Sequence, residues 1–138
     1  MTDGELLAKK LAFIETCVRE LESLARPELV ETDVRERRFV EHTLQIAIQA
    51  ALDIASHVVS DERLGEPGTN RELFDLLAAA GWLTPQHAAT MRRMVGFRNV
   101  VVHGYTAVDP TILRDVVEHH LGDLTEFVAS TRRRLANP

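Results

Sequence analysis

The chain has 138 residues, 45% of them hydrophobic and 27% charged, which is the size of one globular domain able to bury a core without disulfides. Its net charge of -5 argues against a protein that coats nucleic acid nonspecifically, because such binding needs many Lys and Arg side chains. There is no recognisable leader, no apolar run long enough to cross a membrane, and a single cysteine, Cys17, so we expect one cytoplasmic domain spanning 1–138.

The first half of the chain predicts two long helices. The first follows Thr2 or Asp3, carries apolar residues at steps of three and four, and ends at Arg26-Pro27. The second begins near Thr32 or Asp33, and either side chain can cap it. Because apolar groups occupy nearly every face of this second segment, we expect it to be the buried central helix.

The second half predicts three more helices. Thr69 and Glu72 have the spacing of a capping box that starts a short helix, and Gly81 stops it. Thr84-Pro85 and Asp109-Pro110 each place a capping residue before a proline at the first helical position, which opens a fourth and a fifth helix. With no stretch that alternates like a strand, the sequence predicts an all-α bundle of about five helices.

A polar cluster interrupts the apolar pattern of the fourth helix, in the stretch FRNVVVHGY at 97–105. Arg98 and His103 are five residues apart, so on an ideal helix they point about 140° away from each other. Gly104 predicts that the helix ends near His103, where the side chain has more freedom. The cluster is therefore expected at the rim of a pocket.

The residue types of this cluster suit cleavage of RNA without a metal. A guanidinium binds phosphate bidentately, an imidazole moves a proton near neutral pH, and RNA supplies its own nucleophile, the 2′-hydroxyl. Structural explanations stay open at this point, since Arg98 could satisfy carbonyls of a neighbouring helix and Asn99 could bond backbone near a helix end.

The order and spacing of these residues match a known pattern. Arg98-Asn99-Val100-Val101-Val102-His103-Gly104-Tyr105 fits R-N-x-x-x-H-x-Y and resembles HEPN-domain proteins, most of all the HepT toxins of prokaryotic HepT/MntA toxin-antitoxin pairs. The similarity covers most of the chain, including ERRFVEHTLQIAIQAALDIASHVV, RELFDLL and GWLTPQHAATMRRMVGFRN. The resemblance implies a HEPN-type bundle that forms a homodimer with two motifs at one cleft. It also implies a metal-independent endoribonuclease, silenced by an MntA-like nucleotidyltransferase antitoxin.

When the family's motif is matched to this sequence position by position, the resemblance implies that Arg98 and His103 are catalytic. Asn99 would orient phosphate or ribose, and Tyr105 would receive AMP from the antitoxin. Arg93, one to two turns before the motif, is close enough to extend a positive surface for RNA, although exposed arginines often serve only solubility.

No metal and no cofactor are expected. The run Glu118-His119-His120 lacks the i and i+4 ligand pair that a helical metal site uses, so a solvated face explains it better. The alternative function is a noncatalytic helical subunit that binds a minimal nucleotidyltransferase or a nucleotide, and an RNA cleavage assay separates the two hypotheses.

Overall fold

The computed structural model describes residues 3–103 and 109–138, except for the side chains of residues 102 and 103. Within those ranges the chain forms α-helices and no strands, which confirms the predicted all-α class. A single 3-10 turn, Pro27–Leu29, joins the first two helices. The helices are α1 (Gly4–Leu24), α2 (Val34–Asp61), α3 (Glu72–Ala79), α4 (Pro85–His103), α5 (Pro110–His119) and α6 (Leu121–Ala136).

The predicted helix starts rest on side-chain caps. Asp3 accepts from the backbone N–H groups of Glu5 and Leu6, and Asp33 caps α2 in the same way. Asp109 accepts from the N–H of Thr111 and precedes Pro110 at the start of α5. These bonds satisfy amide groups that have no partner inside the helix, so short local signals were enough to locate the starts.

The start of α3 differs from the predicted capping box. The Glu72 carboxylate accepts from the backbone N–H of Gly68 at 2.6 Å rather than from that of Thr69. Glu72 is the first helical residue, and its own N–H donates to the Thr69 carbonyl at 3.2 Å in a preceding turn. The end of α3 is as expected: Gly81 has a φ of 84°, and the N–H groups of Gly81 and Trp82 close the helix on Ala78 and Leu77.

The predicted fifth helix is two helices, so the expected count of about five becomes six in the described ranges. His120, with φ -125° and ψ 5°, ends α5 and begins the turn into α6. Its N–H still donates to Val116, while its carbonyl accepts from Asp123 at 3.2 Å. The ring of His120 contacts the carboxylates of Asp115 and Asp123, at 3.2 and 3.4 Å, and holds the bend.

Helix α2 is the centre of the bundle, as its composition predicted. It packs against each of the other five helices and buries residues along most of its length. The thiol of Cys17 lies in the same core, and burial raises its pKa to about 11, so it packs as a small apolar group. None of the helices in the described ranges combines the length and apolarity that a membrane span requires.

Candidate active site

Helix α4 carries the polar motif on a buried scaffold. Thr84 accepts from the N–H of His87 and Pro85 opens the helix, as predicted. One face of α4 is fully packed against the core through Ala88, Met91, Met94 and Val95. That packing fixes the rotation of the helix, and hence the direction in which the motif residues leave it.

Arg98 leaves α4 toward α2 and is half-buried there. Its Nη2 donates to Oε1 of Gln49, and its Nη1 donates to Oδ1 of Asn99 at 3.2 Å. The Nε atom is buried without a hydrogen-bond partner in the described ranges. Both acceptors are neutral amides, so they orient the guanidinium without cancelling its charge.

The orientation of Gln49 is itself set by a neighbour. Its Nε2 donates to Asp53 at 2.8 Å, one turn further along α2, so the amide oxygen is left facing Arg98. The second carboxylate oxygen of Asp53 accepts from Lys10 of α1 at 3.4 Å. A carboxylate therefore lies close to Arg98 but is separated from it by the amide and is paired with another cation.

Arg98 borders a groove of about 510 Å³ between α1 and α2. Two large apolar side chains of α1, Leu6 and Phe13, line this groove and are 39% and 43% exposed. Lys9 and Lys10 lie along the same groove. Both lysines are paired with carboxylates, Lys9 with Glu5 and Lys10 with Asp53. The cation thus faces an open, partly apolar groove rather than a closed cavity.

The predicted substrate-binding arginine, Arg93, lies elsewhere on α4. It is exposed, donates to Thr90 at 3.4 Å, and lines a shallow hollow of about 410 Å³ with Arg71 and Arg92. Five residues separate it from Arg98, so the two side chains leave the helix in different directions. The structure therefore brings Arg98 and Asn99 together but not Arg98 and Arg93.

The structure describes one of the remaining predicted site residues only in its backbone and does not describe the other. His103 is the last residue of α4, and its side chain lies outside the described residues. Tyr105 also lies outside them. The catalytic role of His103 and the modification of Tyr105 consequently stay predictions.

Sequence reasoning missed three residues around the motif: Gln49, Asp53 and Arg71. The first two are far from Arg98 in the chain. Gln49 reaches Arg98 through the packing of α2 on α4, and Asp53 acts only through Gln49. Nothing in the motif points to them. A weak signal existed in Gln49 and Asp53 themselves, since with Gln45 they form a row of polar residues at steps of four within the mostly apolar stretch 44–59.

Two other groups of polar side chains make surface or loop contacts in the part of the chain that the structure describes. Glu118, His119 and His120 are exposed, and no group of three metal-binding side chains gathers among the described residues. Arg37 donates to the backbone carbonyls of Val30 and Glu31 and so ties the loop before α2.

A second interhelical arginine, Arg132 of α6, has a different environment. It forms two hydrogen bonds with the Glu15 carboxylate of α1, at 2.7 and 2.8 Å. These bonds to Arg132 lower the pKa of Glu15 from its ordinary value. The charge of Arg132 is therefore neutralised by its partner.

Comparison with known proteins gives a consistent family. A family model described as "Ribonuclease HepT-like" matches residues 14–131. The mRNA nuclease HepT of Shewanella oneidensis is 30% identical over 126 residues, which covers 91% of this chain and 95% of that protein. The tRNA nuclease HepT of Aphanizomenon flos-aquae is 33% identical over 102 residues, covering 70% of this chain and 69% of that one.

The fold is also that of a solved toxin structure. The tri-AMPylated Shewanella oneidensis HEPN toxin in complex with MNT antitoxin superimposes with a TM-score of 0.88 at 29% identity. The match covers 95% of this chain and 99% of that one. The agreement spans nearly the whole chain, so it includes α2 and α4, the two helices that hold Arg98.

Proposed function

This chain belongs to the HepT-like ribonuclease family, and from that premise we propose that it is the endoribonuclease toxin of a toxin-antitoxin pair. It acts as a single cytoplasmic domain, 1–138, on an RNA substrate. The related mRNA and tRNA nucleases support the activity, and the related toxin in complex with an MNT antitoxin supports the partner class, an MntA-like nucleotidyltransferase.

The observation that carries the proposal is the environment of Arg98. Its guanidinium is half-buried, oriented by two amide oxygens, and free of any ion pair within the described ranges. A positive charge without an internal counter-ion can bind an anion from outside the protein. The fork of N–H donors of a guanidinium matches two oxygens of a phosphate. Arg132, which also joins two helices, is instead neutralised by a carboxylate.

The reaction needs only a proton transfer and charge stabilisation. The 2′-hydroxyl of the substrate loses its proton and attacks the adjacent phosphorus, and the 5′-oxygen leaves with a proton. His103 supplies acid-base catalysis, Arg98 stabilises the negative charge that builds on the phosphate oxygens, and Asn99 orients the phosphate or ribose. The products end in 2′,3′-cyclic phosphate and a 5′-hydroxyl.

A homodimer completes the site in this proposal. On an ideal helix positions 98 and 103 point about 140° apart, so a site that combines the two motifs of a dimer would place Arg98 of one copy near His103 of the other. The groove beside Arg98 exposes Leu6 and Phe13, an apolar surface that a second copy would cover. Phe13→Glu should reduce dimerisation measured by light scattering and lower cleavage with it. The control is Leu24→Glu, at an apolar residue of α1 that is 62% exposed and does not line this groove.

The antitoxin is proposed to act through Tyr105, the only tyrosine of the chain. An AMP group there would bring a phosphate that competes with RNA for Arg98 and repels the substrate backbone. Coexpression with the nucleotidyltransferase and ATP should add AMP to the wild type and not to Tyr105→Phe, as measured by intact mass. Silencing of Tyr105→Phe as complete as that of the wild type would remove Tyr105 from this role.

The activity is tested by incubating purified protein with RNA in the presence of EDTA. Cleavage should persist, and His103→Ala should lose about 10²- to 10⁴-fold, the usual contribution of general acid-base catalysis. His119→Ala, at an exposed histidine of α5, is the control and should cleave as the wild type does. A wild type that binds the nucleotidyltransferase but leaves RNA intact would favour the noncatalytic subunit instead.

A further inference from the structure

A glycine in the middle of α4 is covered by an arginine from another element. Gly96 lies two turns before the end of α4, and Arg71 stands at the start of α3. A β-carbon placed on Gly96 would meet Nη2 of Arg71 at 2.8 Å and Cζ at 3.3 Å. The guanidinium therefore lies directly on the backbone of α4, in space that any other residue at 96 would occupy.

The arginine held there faces a hollow with concentrated positive charge. Arg71, Arg92 and Arg93 line this hollow together with Gly96 and Ala89. Arg92 is paired with Asp75 at 3.4 Å, whereas Arg71 and Arg93 form no ion pair within residues 3–103 and 109–138. Two guanidinium groups without an ion pair in those ranges thus line one hollow of a chain whose net charge is -5, and Arg93 also borders a second hollow that contains Asp115 and Asp123.

The hollow lies on the side of α4 that carries positions 99 and 103 of the motif, whereas Arg98 leaves the helix in another direction. Positions 92, 96, 99 and 103 recur at steps of four and three, so their α-carbons form one stripe along α4. Gly96 and His103 are seven residues apart, which is about 10.5 Å of helix rise. A strand of RNA that follows this stripe passes the hollow before it reaches the end of α4.

We propose that Arg71, held over Gly96, and Arg93 form a subsite for a backbone phosphate of the RNA substrate, further along the strand from the one that is cleaved. This inference rests on the proposed function and adds to it the subsite that aligns the strand. Planar guanidinium forks suit phosphate oxygens. A protein partner is disfavoured because no large apolar side chain lines the hollow, whereas stable protein interfaces use desolvated anchors.

The first test measures RNA binding in the His103→Ala background, where no strand is cut. Fluorescence anisotropy with a single-stranded RNA at several salt concentrations should show about 5- to 10-fold weaker binding for Arg71→Ala. The slope of log affinity against log salt should fall by about 0.7, the value for one phosphate contact on a single strand. Arg93→Ala should behave similarly.

The matched control for Arg93 is Arg19 of α1. Arg19 is also exposed and donates to a hydroxyl three residues earlier, that of Thr16, at 3.3 Å. Arg19→Ala removes the same charge and the same kind of local bond on another helix. It should change RNA affinity by less than about twofold, as expected for a charge remote from the bound strand.

Gly96→Ala gives a second test that alters no charge. The added methyl group must displace the Arg71 guanidinium, which is the far end of a flexible side chain, and alanine favours the helix. The melting temperature should therefore stay the same or rise, while RNA binding weakens about threefold. Gly122→Ala is the control, since a β-carbon on that glycine of α6 has no atom within 4 Å, and RNA binding should not change.

The outcomes separate this subsite from the proposed activity. If wild type cleaves RNA in a manner that depends on Arg98 and His103, but Arg71→Ala and Gly96→Ala bind RNA like their parent, only the subsite is overturned. A wild type that neither binds nor cleaves RNA overturns both. Normal RNA binding with lost binding of the nucleotidyltransferase in Arg71→Ala would assign the hollow to the antitoxin and overturn the subsite.

Discussion

Arg98 and Arg132 both join neighbouring helices, but with opposite kinds of partner. Arg132 of α6 meets the Glu15 carboxylate of α1 in two short bonds, and its charge is cancelled. Arg98 of α4 meets the amide oxygens of Gln49 and Asn99, and its charge is kept. Both arginines bond a neighbouring helix, so geometry alone does not distinguish them. The neutral acceptors of Arg98 leave its charge available to a ligand, whereas the Glu15 carboxylate cancels the charge of Arg132.

The largest expected effect comes from removing each arginine in turn. Arg98→Ala should lower the kcat of RNA cleavage by about 10²- to 10³-fold, the cost of deleting one group that stabilises transition-state charge. Arg132→Ala should leave kcat within about twofold, because its charge is already satisfied by Glu15. Dichroism should show both variants to be folded. Equal losses of kcat from the two substitutions would mean that the charge of the acceptor does not distinguish the roles of Arg98 and Arg132.

The next prediction concerns a carboxylate placed beside Arg98, like the one that Glu15 places beside Arg132. Gln49→Glu places a carboxylate against the guanidinium, and RNA must then displace a charged bond worth about 1.5–3 kcal/mol, so kcat/KM should fall about 10- to 100-fold. Urea unfolding should show a change in stability below about 1 kcal/mol. Gln86→Glu, an exposed position at the start of α4, is the control for the added charge and should cleave normally.

A smaller effect is expected when the acceptor is removed rather than charged. Gln49→Ala leaves the Arg98 charge intact but loosens its position, so kcat should fall about 5- to 10-fold, the equivalent of about 1–1.4 kcal/mol. The distinction from Gln49→Glu lies in salt dependence: the KM of Gln49→Ala should respond to salt as the wild type does. If alanine is worse than glutamate at this position, the role of a neutral acceptor is contradicted.

The smallest effect concerns Glu15 and depends on pH. Because the fold lowers the pKa of Glu15, the stability from this pair is fully present above the ordinary glutamate pKa and is lost as pH falls through the lowered value. Glu15→Gln should therefore cost about 0.5–1 kcal/mol at pH 7 by urea unfolding. That difference should shrink toward zero in acid. A deficit that stays constant with pH would point to lost packing rather than a lost ion pair.

The sequence predicted those parts of the fold that depend on neighbours in the chain. Asp3, Asp33, Thr84 and Asp109 cap helices through bonds that span two or three residues, so their roles could be inferred locally. The break at His120 could not, because Val117, Leu121 and Leu124 continue the three-to-four spacing straight through it. Periodicity records which face is buried and does not record whether the backbone bends.

The candidate site likewise has parts that the sequence predicts and parts that only tertiary packing creates. The order of Arg98, Asn99, His103 and Tyr105 was enough to predict the family, which the comparisons confirm. The acceptor Gln49 is 49 residues from Arg98, and the cover of Gly96 by Arg71 depends on how α3 meets α4. Contacts made only by tertiary packing leave no spacing in the sequence to detect.

The central position of helix α2 affects how the molecule unfolds. Since it packs against the other five helices, separating it would expose most of the core at once. Its central amides should exchange with deuterium only through global unfolding, in the slowest class of the protein. Gln49 belongs to that slow segment, so the backbone that carries the acceptor of Arg98 stays in place for as long as the molecule is folded. An inhibitor that acts at Arg98 is therefore expected to block the approach of RNA, because displacing the backbone of α2 would require unfolding the whole bundle.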